Sequence, residues 1–117
     1  MNISRYPASG TQAKAVIWNG TAYCAGLTAE NSGTMAEQTA DILAQYDRLF
    51  SEIGIHKEDI VMANTFLYDM NDGDAYGEVW KAWVGAENAP AGVCVQAVLP
   101  PEKKIIISLI ATVRPGV

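Results

Sequence analysis

Few residues in this chain have the side chains that most enzyme or metal chemistry uses. It contains one histidine, His56, and two cysteines, Cys24 and Cys94, which are far apart in the sequence. A zinc site needs several closely spaced Cys or His ligands, and an activated nucleophile needs a histidine beside its serine or cysteine. We therefore expect no metal centre and no Ser–His or Cys–His pair, and we expect a site without cofactor.

Each of these residues also has a plain structural interpretation. His56 follows Gly54 and precedes the polar stretch 57–59, where a solvated loop histidine is expected. The two cysteines are expected to be reduced thiols in the cytoplasm. Tyr23 and Trp18 either line a cleft or pack in the core, and the sequence leaves both alternatives open.

The composition fits one folded domain, residues 1–117. Half of the residues are apolar and 18% are charged, which is below the ~25% that is usual for soluble domains. A small protein with so few charges is expected to cover part of its surface with copies of itself. Eight basic and 13 acidic residues give a formal charge of −5, which disfavours binding to the phosphate backbone of nucleic acids.

The sequence also lacks the patterns of membrane insertion or export. No segment approaches the roughly 20 apolar residues of a membrane-spanning helix. Residues 1–10 are polar, Arg5 is their only basic residue, and no apolar core follows, unlike an export signal. We expect a cytoplasmic protein that binds neither membranes nor nucleic acids.

Local patterns predict the order strand, strand, helix, strand, helix, strand, strand. Asn19-Gly20 separates the apolar runs 13–18 and 21–25, which is typical of a hairpin with a type I′ turn. The first helix is predicted over 34–53, with a capping box at its start and Gly54 at its end. Its polar face carries side chains that are expected to be solvated: Gln38, Asp41, Gln45 and Glu52.

The second half of the chain predicts a strand over 60–68, a helix over 74–84, and strands over 92–99 and 104–113. The helix carries an apolar stripe that is expected to belong to the core rather than to a ligand site: Tyr76, Val79, Trp80, Trp83 and Val84.

The last strand is apolar on both of its faces. One face carries Ile105, Ile107, Leu109 and Ala111, and the other carries Ile106 and Ile110. Such a strand must be covered on both sides. Two helices can cover only one face of a sheet of this size, so the other face is expected to meet another subunit.

Several short motifs follow one another in a characteristic order and spacing. They are Tyr23–Gly26, the first helix with Gly54, Ile60-Val61 with Thr65, Val79–Trp83 and, most specifically, Asn88–Ala97 before the final apolar strand. In these motifs the chain resembles the Rid family, also called the RidA or YjgF family.

The resemblance implies an α+β protomer of the chorismate-mutase-like type, with the order ββαβαββ and a mixed sheet with two helices packed on one face. It also implies a homotrimer whose sheets line a central barrel and whose clefts between subunits bind small metabolites. The best-known members hydrolyse reactive enamines and imines, such as 2-iminobutanoate and 2-iminopropanoate, to 2-keto acids and ammonia.

The chain departs from the family pattern at polar positions. Active members use an arginine to grip the substrate carboxylate where this chain has Gly92, and a glutamate to hold the attacking water where it has Ile106. Gln96 stands in place of a further glutamate. Gly92 is either the place of a lost arginine, a gap for a bulkier ligand, or a point of close approach.

The resemblance gives four further candidates for the lining of the cleft. Gly77 aligns with an asparagine of the family's cleft. Cys94 matches the family and is either a cleft residue or a small strand hydrophobe. Gly26 also matches and either offers a backbone group to a ligand or forms a turn, and Tyr23 is the fourth candidate.

Two functions follow from these departures. The first is a deaminase-like hydrolase with a degenerate site. Its activity is expected to be weakened, because losing the charge-assisted contact to the substrate carboxylate costs about 1.5–3 kcal/mol. The cation would then have to come from Lys14, Lys104, Arg5 or Arg114.

The second function is a non-catalytic trimer that binds a small metabolite or a regulatory partner in the same clefts. In that case, Gly92→Arg combined with Ile106→Glu is expected to create some activity. RNA cleavage, a label that some family members carry, is disfavoured by the acidic charge and by the lack of paired histidines.

Overall fold

One mixed sheet and two helices make up the part of the chain that the computed structural model describes, residues 2–7 and 10–115. In chain order the elements are β1 (Ser4–Tyr6), β2 (Ala15–Trp18), β3 (Thr21–Thr28), α1 (Met35–Ile53), β4 (Ile60–Leu67), α2 (Gly73–Val84), β5 (Ala91–Gln96) and β6 (Ile105–Thr112). The strands lie in the order β1-β2-β3-β6-β4-β5. Among the described strand pairs, β4 with β5 is the only parallel one. The predicted α+β class and mixed sheet are confirmed, and β1 is an additional edge strand that the sequence patterns did not predict.

The predicted turn and helix signals form as expected. Asn19 and Gly20 both have positive φ angles, 53° and 74°, as a type I′ turn requires. Thr34 accepts a hydrogen bond from the Glu37 amide, and the Glu37 side chain accepts one from the Thr34 amide, which completes the capping box. Gly54 ends α1 in the left-handed conformation with φ 91°. No helix in the described ranges is long and apolar enough to cross a membrane.

The central strand β6 divides its side chains between two environments. On the side of the helices its residues are at most 1% exposed: Ile105, Ile107, Leu109 and Ala111. Ile106, Ser108 and Ile110 alternate with them and are half-buried on the opposite side, which we call the open face. The strand register places several exposed apolar residues on the same open face: Trp18, Tyr23, Met62, Val93 and Val95.

Two glutamines of α1 contradict the prediction of a fully solvated polar face. Gln38 is 0% exposed and Gln45 is 9% exposed. The Gln38 amide donates to the carbonyls of Gly33 and Glu102 and accepts from the Lys104 amide. The Glu102 carbonyl and the Lys104 amide belong to the loop before β6, and the Gln38 side chain satisfies the hydrogen-bonding capacity of both.

The apolar stripe of α2 is less buried than its sequence predicts. Val84 is 5% exposed, whereas Tyr76, Val79, Trp80 and Trp83 are half-buried and pack against the rim of the core. The helix leans on α1, where the rings of Trp83 and Phe50 lie 6.3 Å apart. The stripe therefore packs against the core as expected, but only Val84 is fully buried.

Tyr46 joins α1 to the irregular part of β3. Its side chain is 0% exposed, and its hydroxyl lies 2.7 Å from the carbonyl oxygens of both Ala25 and Ile107. Ala25 lies in the register shift between Cys24 and Leu27, where the ladder to β6 is interrupted. The phenol carries one O–H donor, which these two carbonyl oxygens share next to the irregular part of the ladder.

We predict that Tyr46→Phe lowers the free energy of unfolding by about 1–3 kcal/mol, because it leaves buried carbonyls without a donor. Urea unfolding at one protein concentration measures the change. Tyr68, which is 62% exposed, provides the control. Tyr68→Phe is expected to stay within about 0.5 kcal/mol of the original chain. Equal stability of the two variants would contradict the assigned role of the Tyr46 hydroxyl.

Candidate functional site

Three of the candidate cleft positions adjoin the open face of the sheet. Tyr23 is 45% exposed there and is the register partner of Ile110, four residues from Ile106 along β6. Ile106 pairs with Thr28 of β3 and Phe66 of β4 and is half-buried. Gly26 lies beside Ile106, because a Cβ atom on Gly26 would be only 2.8 Å from the Ile106 Cγ2 atom. This part of the candidate site is therefore apolar.

Two open alternatives are decided by these positions. Gly26 is not in a turn, because it lies inside β3 at the register shift and leaves the space that the Ile106 side chain fills. Trp18, at 39% exposure, and Tyr23 both stand on the open face rather than in the core. Both aromatic side chains are available to an interface or a cleft.

Gly92 in β5 marks a point of close backbone approach. Its φ is +147°, and a Cβ atom built on it would lie 1.7 Å from the carbonyl oxygen of Ala63. Residues with side chains rarely adopt this conformation, and the backbone of β4 occupies the space. The alternative of a gap for a bulkier ligand is wrong. An arginine at this position, as in the proposed Gly92→Arg restoration, would require the two strands to move apart.

A second group of residues lies at the β5 edge, on the helix side of the sheet. Cys94 is the register partner of Thr65 in β4, and the hydroxyls of Thr65 and Tyr76 lie 3.0 Å apart. Thr65 is 1% exposed, Tyr76 is half-buried and Cys94 is exposed. We call these three residues the edge cluster. Gly77 follows Tyr76 in α2, and a Cβ atom there would have no neighbour within 4 Å.

The edge cluster carries no charge at neutral pH. Burial raises the pKa of the Tyr76 phenol, the Thr65 hydrogen bond lowers it, and the nearby Cys94 raises it further. Burial also raises the pKa of the Cys94 thiol. The ordinary pKa values of a phenol and a thiol are already above 7, so these upward shifts keep Tyr76 and Cys94 protonated. The cluster therefore offers neutral hydroxyl and thiol groups.

Sequence reasoning assigned Tyr76 to the core and gave Thr65 no role in the site. The signal for Thr65 was its place on an otherwise apolar side of β4, between Ala63 and Leu67, because a buried hydroxyl needs a partner. The identity of that partner depends on the packing of α2 on the sheet, which local sequence does not specify.

The cations considered as substitutes for the arginine lie elsewhere in the protomer. Arg114 is engaged with Glu58 at 3.0 Å and Asp59 at 2.7 Å. Arg5 is in β1, at the opposite edge of the sheet from β5. Lys104 borders a cavity of about 290 Å³ that is lined by Tyr68, Leu99, Pro100, Pro101, Glu102 and Lys103.

The fourth cation, Lys14, borders a cavity against α1 that is lined by Tyr6, Pro7, Leu49 and Glu52. His56 is exposed at the start of a short 3₁₀ turn, as predicted for a loop histidine. Within the residues that the structure describes, no group of three or more His, Cys, Asp and Glu is arranged to hold a metal ion.

An α+β protomer with this sheet order defines the structural class of the protein, and comparisons with known proteins identify the family. The model of the family described as Endoribonuclease L-PSP matches residues 3–113. The RutC family protein YoaB of Escherichia coli K12 is 38% identical over 114 residues, which cover 97% of this chain and 100% of YoaB. The chain belongs to this family, the YjgF/RutC/Rid family, so the resemblance seen in the sequence is confirmed.

Solved structures agree with this assignment. NMB1025, a YjgF family member from Neisseria meningitidis, is 39% identical and superposes with a TM-score of 0.93 over 99% of this chain and 98% of that one. YyfA of Yersinia pestis, from the Rid protein family, is 24% identical and has the same fold, with a TM-score of 0.85 over 96% of this chain and 100% of its own.

We predict opposite effects for alanine at the two glycines of the candidate site. Gly92→Ala is expected to lower the free energy of unfolding by about 3 kcal/mol or more, because of the clash with Ala63 and the strained φ angle. Gly77→Ala, the matched control in the interior of α2, is expected to raise it by about 0.5–1 kcal/mol. Urea unfolding of both variants at equal concentration measures the difference. A tolerated Gly92→Ala would contradict the close approach of β4 and β5.

Proposed function

We propose that this protein is a homotrimer that binds a small metabolite in clefts between its subunits and lacks efficient imine deaminase activity. The observation that carries the proposal is the division of the candidate site between two faces of one sheet. Tyr23, Gly26 and Ile106 adjoin the open face, whereas Cys94 and Gly77 belong to the helix side at the β5 edge. A single protomer cannot turn both groups toward one ligand.

The open face supports association with further copies. Val93 and Val95 are 56% and 41% exposed, and Tyr23, Trp18 and Met62 are 45%, 39% and 37% exposed on the same face. Apolar patches of this kind on small proteins mark interaction surfaces. Covering the patch with another copy buries the second apolar side of β6 and removes these side chains from water.

Contact between the β5 edge of one protomer and the open face of the next brings the two groups together. Such a head-to-tail contact repeats around a rotation axis and closes into a ring. In a ring of three, each seam places one edge cluster opposite one open-face group. This arrangement gives three equivalent clefts, as the family resemblance implies.

The residues at the key positions favour binding over deamination. Gripping a substrate carboxylate needs a fixed cation, and the backbone at Gly92 leaves no room for a side chain. Ile106 offers no carboxylate to orient a water molecule. Losing the charged contact alone costs about 1.5–3 kcal/mol, roughly 10- to 150-fold in the population of correctly held substrate.

RNA cleavage, which the description of the matching family mentions, finds little support in this chain. The formal charge is −5, and the single histidine, His56, is exposed on a loop. A nucleic-acid site needs clustered cations on one face. Arg5 is on the open face but lies in β1, at the edge of the sheet opposite β5.

We propose the cytoplasm as the compartment in which the trimer works. Cys24 in β3 and Cys94 in β5 are both free thiols, and two other strands lie between them in the sheet. A reducing compartment keeps such thiols from forming bridges between molecules.

The expected outcome of a deaminase assay is no acceleration. An amino-acid oxidase generates 2-iminobutanoate or 2-iminopropanoate beside the protein, and release of the keto acid is followed at increasing protein concentration. The rate is expected to equal that of spontaneous hydrolysis, because the chain has neither the carboxylate-gripping cation nor the water-holding carboxylate at the matching positions. Acceleration in proportion to the protein concentration would contradict the proposed function.

If copies associate through the open face, a glutamate substituted on that face is expected to weaken association, whereas a glutamate substituted elsewhere is not. Val93→Glu is expected to lower the Tm by at least about 5 °C and to make it independent of protein concentration, because a buried charge opposes association. Ala44→Glu, on the exposed side of α1, is the matched control and is expected to leave the rise of Tm with concentration intact. Equal behaviour of the two variants would contradict association through β5.

A further inference from the structure

We propose that the edge cluster, Thr65, Tyr76 and Cys94, is the recognition element of the cleft and that it selects uncharged ligands bearing a hydrogen-bond acceptor, such as a carboxamide or a ketone, over carboxylates. The inference rests on the proposed function, because it assigns a ligand class to the same clefts. It also reverses the preference that a carboxylate-gripping arginine would give.

A count of hydrogen-bond donors supports the choice of an acceptor ligand. The Thr65 and Tyr76 hydroxyls each carry one O–H donor, and their mutual bond at 3.0 Å uses one of the two. Neither hydroxyl has another hydrogen-bond partner in the described chain. One O–H donor therefore remains for a ligand or for solvent, and the adjacent Cys94 thiol is a further, weaker donor.

The two ends of this pair differ in accessibility. Thr65 is 1% exposed and is held in the middle of β4. Tyr76 is half-buried and stands beside the exposed Cys94, so a ligand reaches the pair from the side of the phenol. The Trp80 ring lies 6.3 Å from the Tyr76 ring, with an interplanar angle of 26°. The hydrogen bond to Thr65 places the phenol oxygen at the edge of the sheet.

α2 and its N-cap provide no positive charge beside Tyr76. Asp72 lies one helical turn before Tyr76, and Lys81, the only basic residue of α2, lies five residues beyond it on another side of the helix. At the β5 edge, Gly92 supplies no side chain. A carboxylate that entered the cleft would lose its hydration without gaining an opposite charge, whereas a neutral acceptor would lose much less.

The protomer surface next to Tyr76 is open. A Cβ atom on Gly77, one residue further along α2, would meet nothing within 4 Å. Ile106 and Tyr23 of the adjoining copy would close the opposite side of the cleft with apolar surface, according to the proposed assembly. The predicted ligand therefore combines one acceptor group with a short apolar part.

Butanamide and butanoate test this selectivity because they match in size and shape and differ in charge. Binding to the full-length protein is followed by NMR titration of the backbone amides of Tyr76 and Cys94. Butanamide is expected to bind about tenfold more tightly than butanoate. Butanoate binding as tightly as butanamide, or no shift with butanamide up to its solubility limit, would overturn the inference.

Two variants show whether the phenol carries the preference. Tyr76→Phe is expected to weaken butanamide binding about three- to tenfold, because it removes one hydrogen bond. Tyr68→Phe removes an exposed hydroxyl outside the edge cluster and is expected to leave the affinity unchanged. Unchanged butanamide affinity in a folded Tyr76→Phe protein also overturns the assignment.

Measuring the molecular mass of the protein in each sample distinguishes a failure of this inference from a failure of the proposed function. A trimer that prefers butanoate refutes only the ligand class. A stable monomer, or acceleration in the oxidase-coupled assay, refutes the proposed function on which the inference rests.

Discussion

A central strand that is apolar on both sides sets the constraint from which the rest of this structure follows. β6 lies between β3 and β4, and its helix-side residues are almost completely buried beneath α1 and α2. In the described residues no helix covers the other side, where Ile106 and Ile110 remain half-buried. Water is a poor environment for such a surface, which is the physical reason for the proposed association with further copies.

The same constraint determines where a ligand site can form. In the proposed trimer, a head-to-tail contact between protomers creates a seam that combines the β5 edge with the open face. At the β5 edge, Gly92 lets the backbone of β5 approach Ala63 of β4. At the open face, Gly26 leaves space for the side chain of Ile106. Close backbone packing thus accompanies the family fold, while Gly92 and Ile106 carry none of the polar side chains that the family resemblance implies for a deaminase. Fold and chemistry are separable in this way because function resides in a few side chains on a tolerant scaffold.

The sequence predicted the parts of the fold that depend on short-range physics. The Asn19-Gly20 turn, the Thr34 capping box and the two-sided apolar pattern of β6 involve neighbours in sequence or strict periodicity, and all three are confirmed. β1 was missed because Ser4–Tyr6 is short and polar and is a strand only through its pairing with β2. Gln38 was assigned to solvent because its partners, Gly33, Glu102 and Lys104, come from two loops, one of them more than sixty residues away in the sequence.

The candidate site was predicted less completely than the fold for a related reason. The backbone approach at Gly92 and the bond between Thr65 and Tyr76 join separate elements, and no local pattern encodes them. The family resemblance supplied positions such as Cys94 and Ile106 without saying which side of the sheet each one faces. The strand register supplies that information and places Cys94 and Ile106 on opposite faces of the sheet.

Sedimentation equilibrium of the unmodified protein, over concentrations from high to submicromolar, measures whether the open face is covered by further copies. We expect one species with three times the 12.6 kDa protomer mass that persists on dilution. A folded species of 12.6 kDa that stays monomeric at the highest concentration would show that the open face needs no cover and would rule out the proposed trimer.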